Sequence, residues 1–156
     1  MALTISTSRS AGEDASGPLL EALAHELGAT EVTRELIADE RGPIEARLRH
    51  WADVERCPLV LTSGGTGVSA DDVTPEATRA VLDREIPGIA EAMRQASRPH
   101  TPNWMLSRAL AGTRGGTLIV NLPGSPRAIE QVGGELAPAL RHALALIAGA
   151  AGGGHG

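Results

Sequence analysis

The chain contains neither phenylalanine nor tyrosine, and Trp51 and Trp104 are its only large aromatic side chains. A core must therefore be built from Ala, Leu, Val and Ile, and no aromatic cluster is available to stack nucleic-acid bases. Lysine is absent too, all 14 basic residues being arginine. That excludes a Walker-type phosphate lysine and any Schiff-base lysine. The single cysteine, Cys57, rules out an internal disulfide and a multi-cysteine metal cage within one chain. Lying just before an apolar run, it reads as a small buried hydrophobe rather than a nucleophile. His25, His50, His100, His142 and His155 show no ligand spacing, and no Ser-His-Asp or Cys-His arrangement can be read. A net charge of −5 argues against general attraction to nucleic acid or anionic membrane. No apolar stretch approaches a membrane span and the N-terminus has no signal-peptide pattern, so a soluble, cytoplasmic protein is expected.

What is present is aliphatic and glycine-punctuated. A chain of 156 residues is long enough for one domain that buries about 70% of its unfolded surface. The pattern predicts a strand over Ala2 to Ser6, a helix opened by Ser16-Gly17-Pro18 and closed by Gly28, and a strand over Glu31 to Ile37. A helix from Gly42-Pro43 follows, with Ile44, Leu48, Trp51 and Ala52 on one face. A buried strand then covers Leu59 to Thr62. Thr74-Pro75-Glu76 reads as a helix start, with Thr74 as cap and the helix running to about Arg84. Further helices are expected from Pro87-Gly88 and over Trp104 to Leu110. A second buried strand spans Thr117 to Asn121. Ser125-Pro126 caps a last helix that Gly133-Gly134 and Pro138 should kink or split. Strands alternating with helices indicate an α/β fold with a mostly parallel sheet covered on both faces. The domain is expected over residues 1–148, with residues 149–156 as a flexible glycine-rich tail.

Two apolar runs break into glycine loops ahead of helix starts. The first ends in Ser63-Gly64-Gly65-Thr66-Gly67, followed by Asp71-Asp72. The second ends in Asn121-Leu122-Pro123-Gly124-Ser125-Pro126. Such loops can present bare backbone N–H groups at the positive end of a helix, which suits phosphate. If both strands are parallel in one sheet, the loops share an edge and can line one pocket. Either could equally be an ordinary capped turn. Two carboxylates beside an anion site are electrostatically odd unless a cation joins them, and Mg²⁺, which bridges carboxylate to phosphate, is the natural candidate. The alternative is that Asp71 and Asp72 merely decorate the Thr74 helix. Asp39-Glu40 follows a strand and could face the same edge or be a solvated turn. Ser107-Arg108 and Arg9 are candidate phosphate clamps, each alone better read as a surface ion pair.

The stretch Thr62-Ser63-Gly64-Gly65-Thr66-Gly67-Val68-Ser69-Ala70-Asp71-Asp72-Val73-Thr74-Pro75-Glu76-Ala77-Thr78 resembles the signature of the Mog/MoaB family of molybdenum cofactor biosynthesis proteins. Ile86-Pro87-Gly88 with Glu91 and Arg94, Leu106-Ser107-Arg108 with Gly112, and Leu118 to Pro126 follow in the family's order. The resemblance implies a three-layer α/β/α sandwich and a pterin-binding homo-oligomer, a trimer or in some members a hexamer. It implies transfer of AMP from ATP to molybdopterin with release of pyrophosphate, Mg²⁺ as cofactor, and other molybdenum cofactor pathway proteins as partners. It gives Asp72 and Asp39 the catalytic positions, with Asp72 on the metal. Ser63, Gly64, Gly65, Thr66, Gly67, Ser107, Pro123, Gly124 and Ser125 become the substrate- and nucleotide-binding set. Asp71 departs from the family, standing where arginine is common. The rival reading is a MoaB-like, non-catalytic pterin-binding oligomer serving as carrier or scaffold.

Overall fold

The computed structural model describes residues 1–152. Six strands form one sheet in the order β2-β1-β3-β6-β5-β4. They are β1 (Ala2–Ile5), β2 (Arg34–Ile37), β3 (Leu59–Ser63), β4 (Arg84–Glu85), β5 (Ala111–Arg114) and β6 (Thr117–Leu122). The first four in spatial order are parallel, with Ala2 beside Leu61 and Leu61 beside Val120. β5 and β4 extend the sheet antiparallel.

Side chains alternate between two cores, as the period of two in a strand requires. Leu59, Leu61, Leu118, Val120 and Leu122 face α1 (Ser16–Glu26), α4 (Pro87–Ser97) and α5 (Pro126–Gly152). Leu3, Ile5, Val60 and Ile119 face α2 (Arg41–Arg49) and α3 (Thr74–Val81). The result is the expected three-layer α/β/α sandwich. α1 closes as expected, with Gly28 N–H donating to the carbonyl of His25 and Ala29 N–H to that of Ala24.

Several local expectations fail, each to a tertiary contact. Trp104 to Leu110 is not a helix: one 3₁₀ turn at Trp104–Leu106 gives way to extended chain. Arg108 N–H bonds to Thr66 O at 2.9 Å and Leu110 N–H to the Asn121 side chain at 3.2 Å, so these amides are taken by the sheet end instead. β5 then pairs with β6, and β4 with β5, two strands the sequence pattern hides because they are short and contain Gly112 and charged residues. α3 stops at Val81, and Asp83 N–H already pairs with Thr113 O at 2.8 Å. β2 is shorter than expected and half-exposed at the sheet edge. α5 is neither split nor followed by an early tail: it is helical from Pro126 to Gly152. Its buried stripe of Ile129, Val132, Leu136 and Leu140 runs through Pro138. At roughly 1.5–3 kcal/mol per buried side chain, this outweighs a proline penalty of about 3 kcal/mol. The remaining residues of the expected tail, 153–156, lie outside the described residues.

The core holds one polar knot. Asn121 is fully buried on β6. Its amide donates to Thr62 Oγ1 and Thr78 Oγ1, both at 3.0 Å, and its carbonyl oxygen accepts from Leu110 N–H. One side chain thus ties β3, α3 and the segment before β5. Asn121→Ala is expected to destabilise by about 2–3 kcal/mol, because it leaves the buried Leu110 N–H without a partner. Urea denaturation measures this, and an unchanged midpoint would show that the knot contributes nothing.

Candidate active site

β1, β3 and β6 run in one direction, so the loops after them gather at the same end of the sheet. Gly124 sits against Gly64, where a Cβ on Gly124 would lie 3.4 Å from the Gly64 Cα. Ser63 Oγ donates to Pro123 O at 2.9 Å, and Ser16 Oγ to Gly124 O at 3.3 Å. The two glycine loops are therefore in contact and bolted together. Gly64 has φ +100° and Gly65 φ +66°, a region open to glycine at little cost. A Cβ at Gly64 would lie 2.3 Å from Ile5 O; at Gly65, 2.3 Å from Thr74 Oγ1 and 2.8 Å from Asp39 Oδ1.

The peptide units of the first loop are sorted by direction. Gly64 O accepts from Thr74 Oγ1 at 2.9 Å and Gly65 O from Thr74 N–H at 3.1 Å. Thr66 O accepts from Arg108 N–H, and Gly67 O from Arg108 Nε at 2.6 Å. The carbonyls are all consumed inside the protein. The N–H groups of Gly65, Thr66 and Gly67 have no acceptor among the described residues. A run of unpaired amides whose carbonyls are engaged elsewhere is suited to receiving an anion. Thr74 does not cap α3 as expected; Val73 occupies that position and the Thr74 hydroxyl holds the loop instead. In the second loop Ser125 does cap its helix, Ala128 N–H reaching Ser125 Oγ at 3.4 Å.

Asp39 and Asp72 both reach this shelf. Asp39 follows β2, and its Oδ1 is buried with no partner. Burial pushes its carboxyl above the usual range, and the neighbouring Asp72 and then Asp71 push it further. Asp72 Oδ2 accepts from Ser69 N–H at 2.9 Å and lies where a Cβ on Gly67 would be 2.7 Å away. Asp71 is exposed beside it. Ser107 lies next to Arg108 and so close to the first loop, its carbonyl held by Arg94 at 3.3 Å. Ser63 to Gly67, Asp39, Asp71, Asp72, Ser107 and Pro123 to Ser125 thus lie at one sheet end. The larger surface hollows are elsewhere, near Pro58, Gly116 and Thr117 at the starts of β3 and β6. Chemistry, not concavity, marks the site.

Two roles were not legible. Arg108 is not a free phosphate clamp: besides Gly67 O it donates to Asp72 O at 2.7 Å and pairs with Glu76. That hydrogen bond holds the Glu76 carboxyl below its usual range. Asp14 is a cap, accepting from Ser16 and Gly17 N–H and from Thr4 Oγ1. The signal for Asp14 was its position two residues before the helix start; for Arg108 none was visible.

With this geometry in hand, comparison with known proteins is decisive. A family described as a probable molybdopterin binding domain matches residues 1–142. The chain belongs to that family. A molybdopterin adenylyltransferase from Helicobacter pylori is 41% identical over 139 residues, 88% of this chain and 79% of that protein. One from Escherichia coli is 48% identical over 101 residues, 65% of this chain and 52% of that protein. Among solved structures, a MoaB molybdopterin biosynthesis enzyme from Thermus thermophilus superposes with TM-score 0.81 at 45% identity, covering 95% of this chain and 94% of that one. A Mog protein from Mycobacterium ulcerans gives 0.87 at 40% identity, covering 95% of both. The resemblance read from the motifs is borne out, and with it the fold.

The raised Asp39 carboxyl has a definite consequence for stability. The folded state holds this proton more tightly than the unfolded chain does. Its contribution is therefore greatest below the unfolded value of 3.8 and declines as pH rises through the raised native value. Asp39→Asn is expected to raise the melting temperature at pH 7 relative to wild type and to leave it unimproved at pH 3. An equal shift at both pH values would contradict this linkage.

Proposed function

We infer that the chain is a molybdopterin adenylyltransferase, an enzyme of molybdenum cofactor biosynthesis. Relatives carrying that name at 41–48% identity support the reading. The observation that carries it is the contact between two phosphate-suited loops with two carboxylates at their rim. In the reaction a terminal phosphate oxygen of molybdopterin attacks the α-phosphorus of ATP. A new P–O–P bond forms, the α–β bridging bond breaks, and pyrophosphate leaves. Both substrates are anionic, so the protein's task is positioning and charge stabilisation. In our assignment the Gly65–Gly67 amides hold one phosphate group and the Pro123–Ser125 loop another, with Ser63 fixing their spacing and Ser107 flanking the first.

Asp72 and Asp39 suit Mg²⁺. Their donors are hard oxygens, one of them buried and unpartnered. The described residues offer no cluster of three or more His, Cys, Asp or Glu ligands. Mg²⁺ is commonly held by one or two carboxylates, with waters and substrate phosphates completing its shell. When bound, it would neutralise phosphate charge. Asp72 and Asp39 then orient substrates and take no part as nucleophiles. The presence of both acids favours the enzyme over a non-catalytic pterin carrier.

Mixing the protein with ATP, Mg²⁺ and molybdopterin is expected to release pyrophosphate; no release would favour the carrier. Asp72→Asn should keep the fold and pterin binding yet lose at least about 100-fold in turnover. Normal production of adenylyl-molybdopterin by that variant would remove Asp72 from its role. We extend the reading to a cytoplasmic homotrimer working with other proteins of the pathway. The exposed Val68, Met105 and Leu106 beside the loops suit contact with another copy. Sedimentation should give three times the 16.1 kDa chain mass, and a monomer would refute it.

A further inference from the structure

We propose that Arg108 is a positioning residue for the transfer reaction, acting by locking the Thr66–Asp72 loop in its amide-out state. The inference rests on the adenylyl-transfer reading above but concerns a residue that touches no substrate in it. Arg108 contacts both ends of the loop. Its backbone N–H donates to Thr66 O at 2.9 Å and its Nε to Gly67 O at 2.6 Å. Its Nη2 donates to Asp72 O at 2.7 Å, and its Nη1 pairs with Glu76 in the first turn of α3. One planar fork therefore fixes the carbonyl before the amide of Val68 and the carbonyl of Asp72 itself.

The consequence follows from the geometry of a peptide unit, whose C=O and N–H point in opposite directions. With the Thr66 and Gly67 carbonyls drawn toward Arg108, the next amides turn away from it. Asp72 is held by its own carbonyl, and its carboxylate is left to face Gly67. Without the fork, Gly67 has no Cβ to resist a flip of the Gly67–Val68 peptide, and a flip would turn the Gly67 carbonyl oxygen toward the phosphate held by the neighbouring Gly65–Gly67 amides. The guanidinium also stands behind the loop, leaving its charge partly spent on Glu76 rather than on a substrate. Lysine cannot substitute, because a single ammonium cannot serve three acceptors spread along a fork.

The segment carrying Arg108 is itself fixed from the core. Leu110 N–H bonds to the buried Asn121, two residues after the guanidinium-bearing position. Arg94 holds Ser107 O from α4. Arg108 thus transmits the rigidity of β6 and α4 to a loop that is otherwise half-exposed.

The test uses the full chain with Arg108→Lys and Arg108→Ala. Arg108→Lys keeps the stem and the charge and should fold, with the circular-dichroism spectrum of wild type. Its molybdopterin-dependent pyrophosphate release should fall about 100-fold. Its dissociation constant for molybdopterin, read by calorimetry, should move far less, because the Pro123–Ser125 loop is untouched. The amides of Ser69, Asp72 and Thr74, which are protected by hydrogen bonds within the loop, should exchange with deuterium at least about tenfold faster while β6 amides keep their rates. Added guanidinium should restore part of the turnover of Arg108→Ala. Wild-type turnover in Arg108→Lys, or unaltered exchange at those three amides, overturns the proposal. So does faster exchange throughout the sheet, which would make Arg108 a general stabiliser. Failure of wild type itself to release pyrophosphate would count against the adenylyl-transfer reading alone, and the exchange data would still decide the role of Arg108.

Discussion

A loop between a strand and a helix has peptide units that can point either way, and the direction they take decides whether it repels or attracts a phosphate. In this chain the direction is set by donors that reach in from outside the loop. Thr74 takes the first two carbonyls, and Arg108 takes the next two and that of Asp72. The site depends on this sorting. Glycine permits the backbone path at 64 and 65, but permission alone does not choose between amide-out and carbonyl-out.

The sorting in turn depends on the sheet. Parallel pairing of β1, β3 and β6 brings Ile5 O against Gly64 and Pro123 O against Ser63. Asn121 then couples β6 to α3 and to the segment bearing Arg108 in one buried network with both amide donors and the carbonyl engaged. Such a network specifies register more sharply than aliphatic packing can, since a one-residue slip would leave several buried polar groups unpaired. With no phenylalanine or tyrosine to give the core distinctive shapes, this polar knot supplies much of the specificity.

The legibility of the sequence follows the range of the interactions involved. The parallel strands β1, β3 and β6 were readable because continuous aliphatic runs bounded by glycine have one good solution in an α/β fold. Asp72, Ser63 to Gly67 and Pro123 to Ser125 were readable as loop chemistry next to those strands. Asp39 needed the family resemblance, because nothing local says that a turn after an edge strand folds over Gly65. β4 and β5 were hidden: their residues carry charge and glycine, and they become strands only because β5 pairs with β6 and β4 with β5. The helix expected over Trp104 to Leu110 failed for the same reason, its amides being claimed by Thr66 and Asn121 from elsewhere in the chain. Arg108 could be placed near the site, but its direction could not. A guanidinium beside a serine looks the same in sequence whether it faces the ligand or the back of the loop.

That direction resolves an electrostatic puzzle. Three carboxylates, Asp39, Asp71 and Asp72, lie beside the unpaired amides of the first loop, and Arg108 has its fork turned to carbonyls and to Glu76. Asp39 carries the cost: burial first, and then repulsion from Asp72 and Asp71, push its carboxyl above the usual range. A permanent cation facing the pocket would relieve that strain at all times and would hold product phosphates as firmly as substrate ones. In the proposed function, carboxylates instead leave the positive charge to be supplied by an ion that can arrive and depart with phosphate. The cost of the unbalanced acids falls on the free protein, where the aliphatic faces of the sheet and the long buried stripe of α5 offset it. In the proposed mechanism, stability at this sheet end is given up where charge must change hands, and the bonds of Arg108 to Thr66, Gly67 and Asp72 brace the back of the loop against that loss.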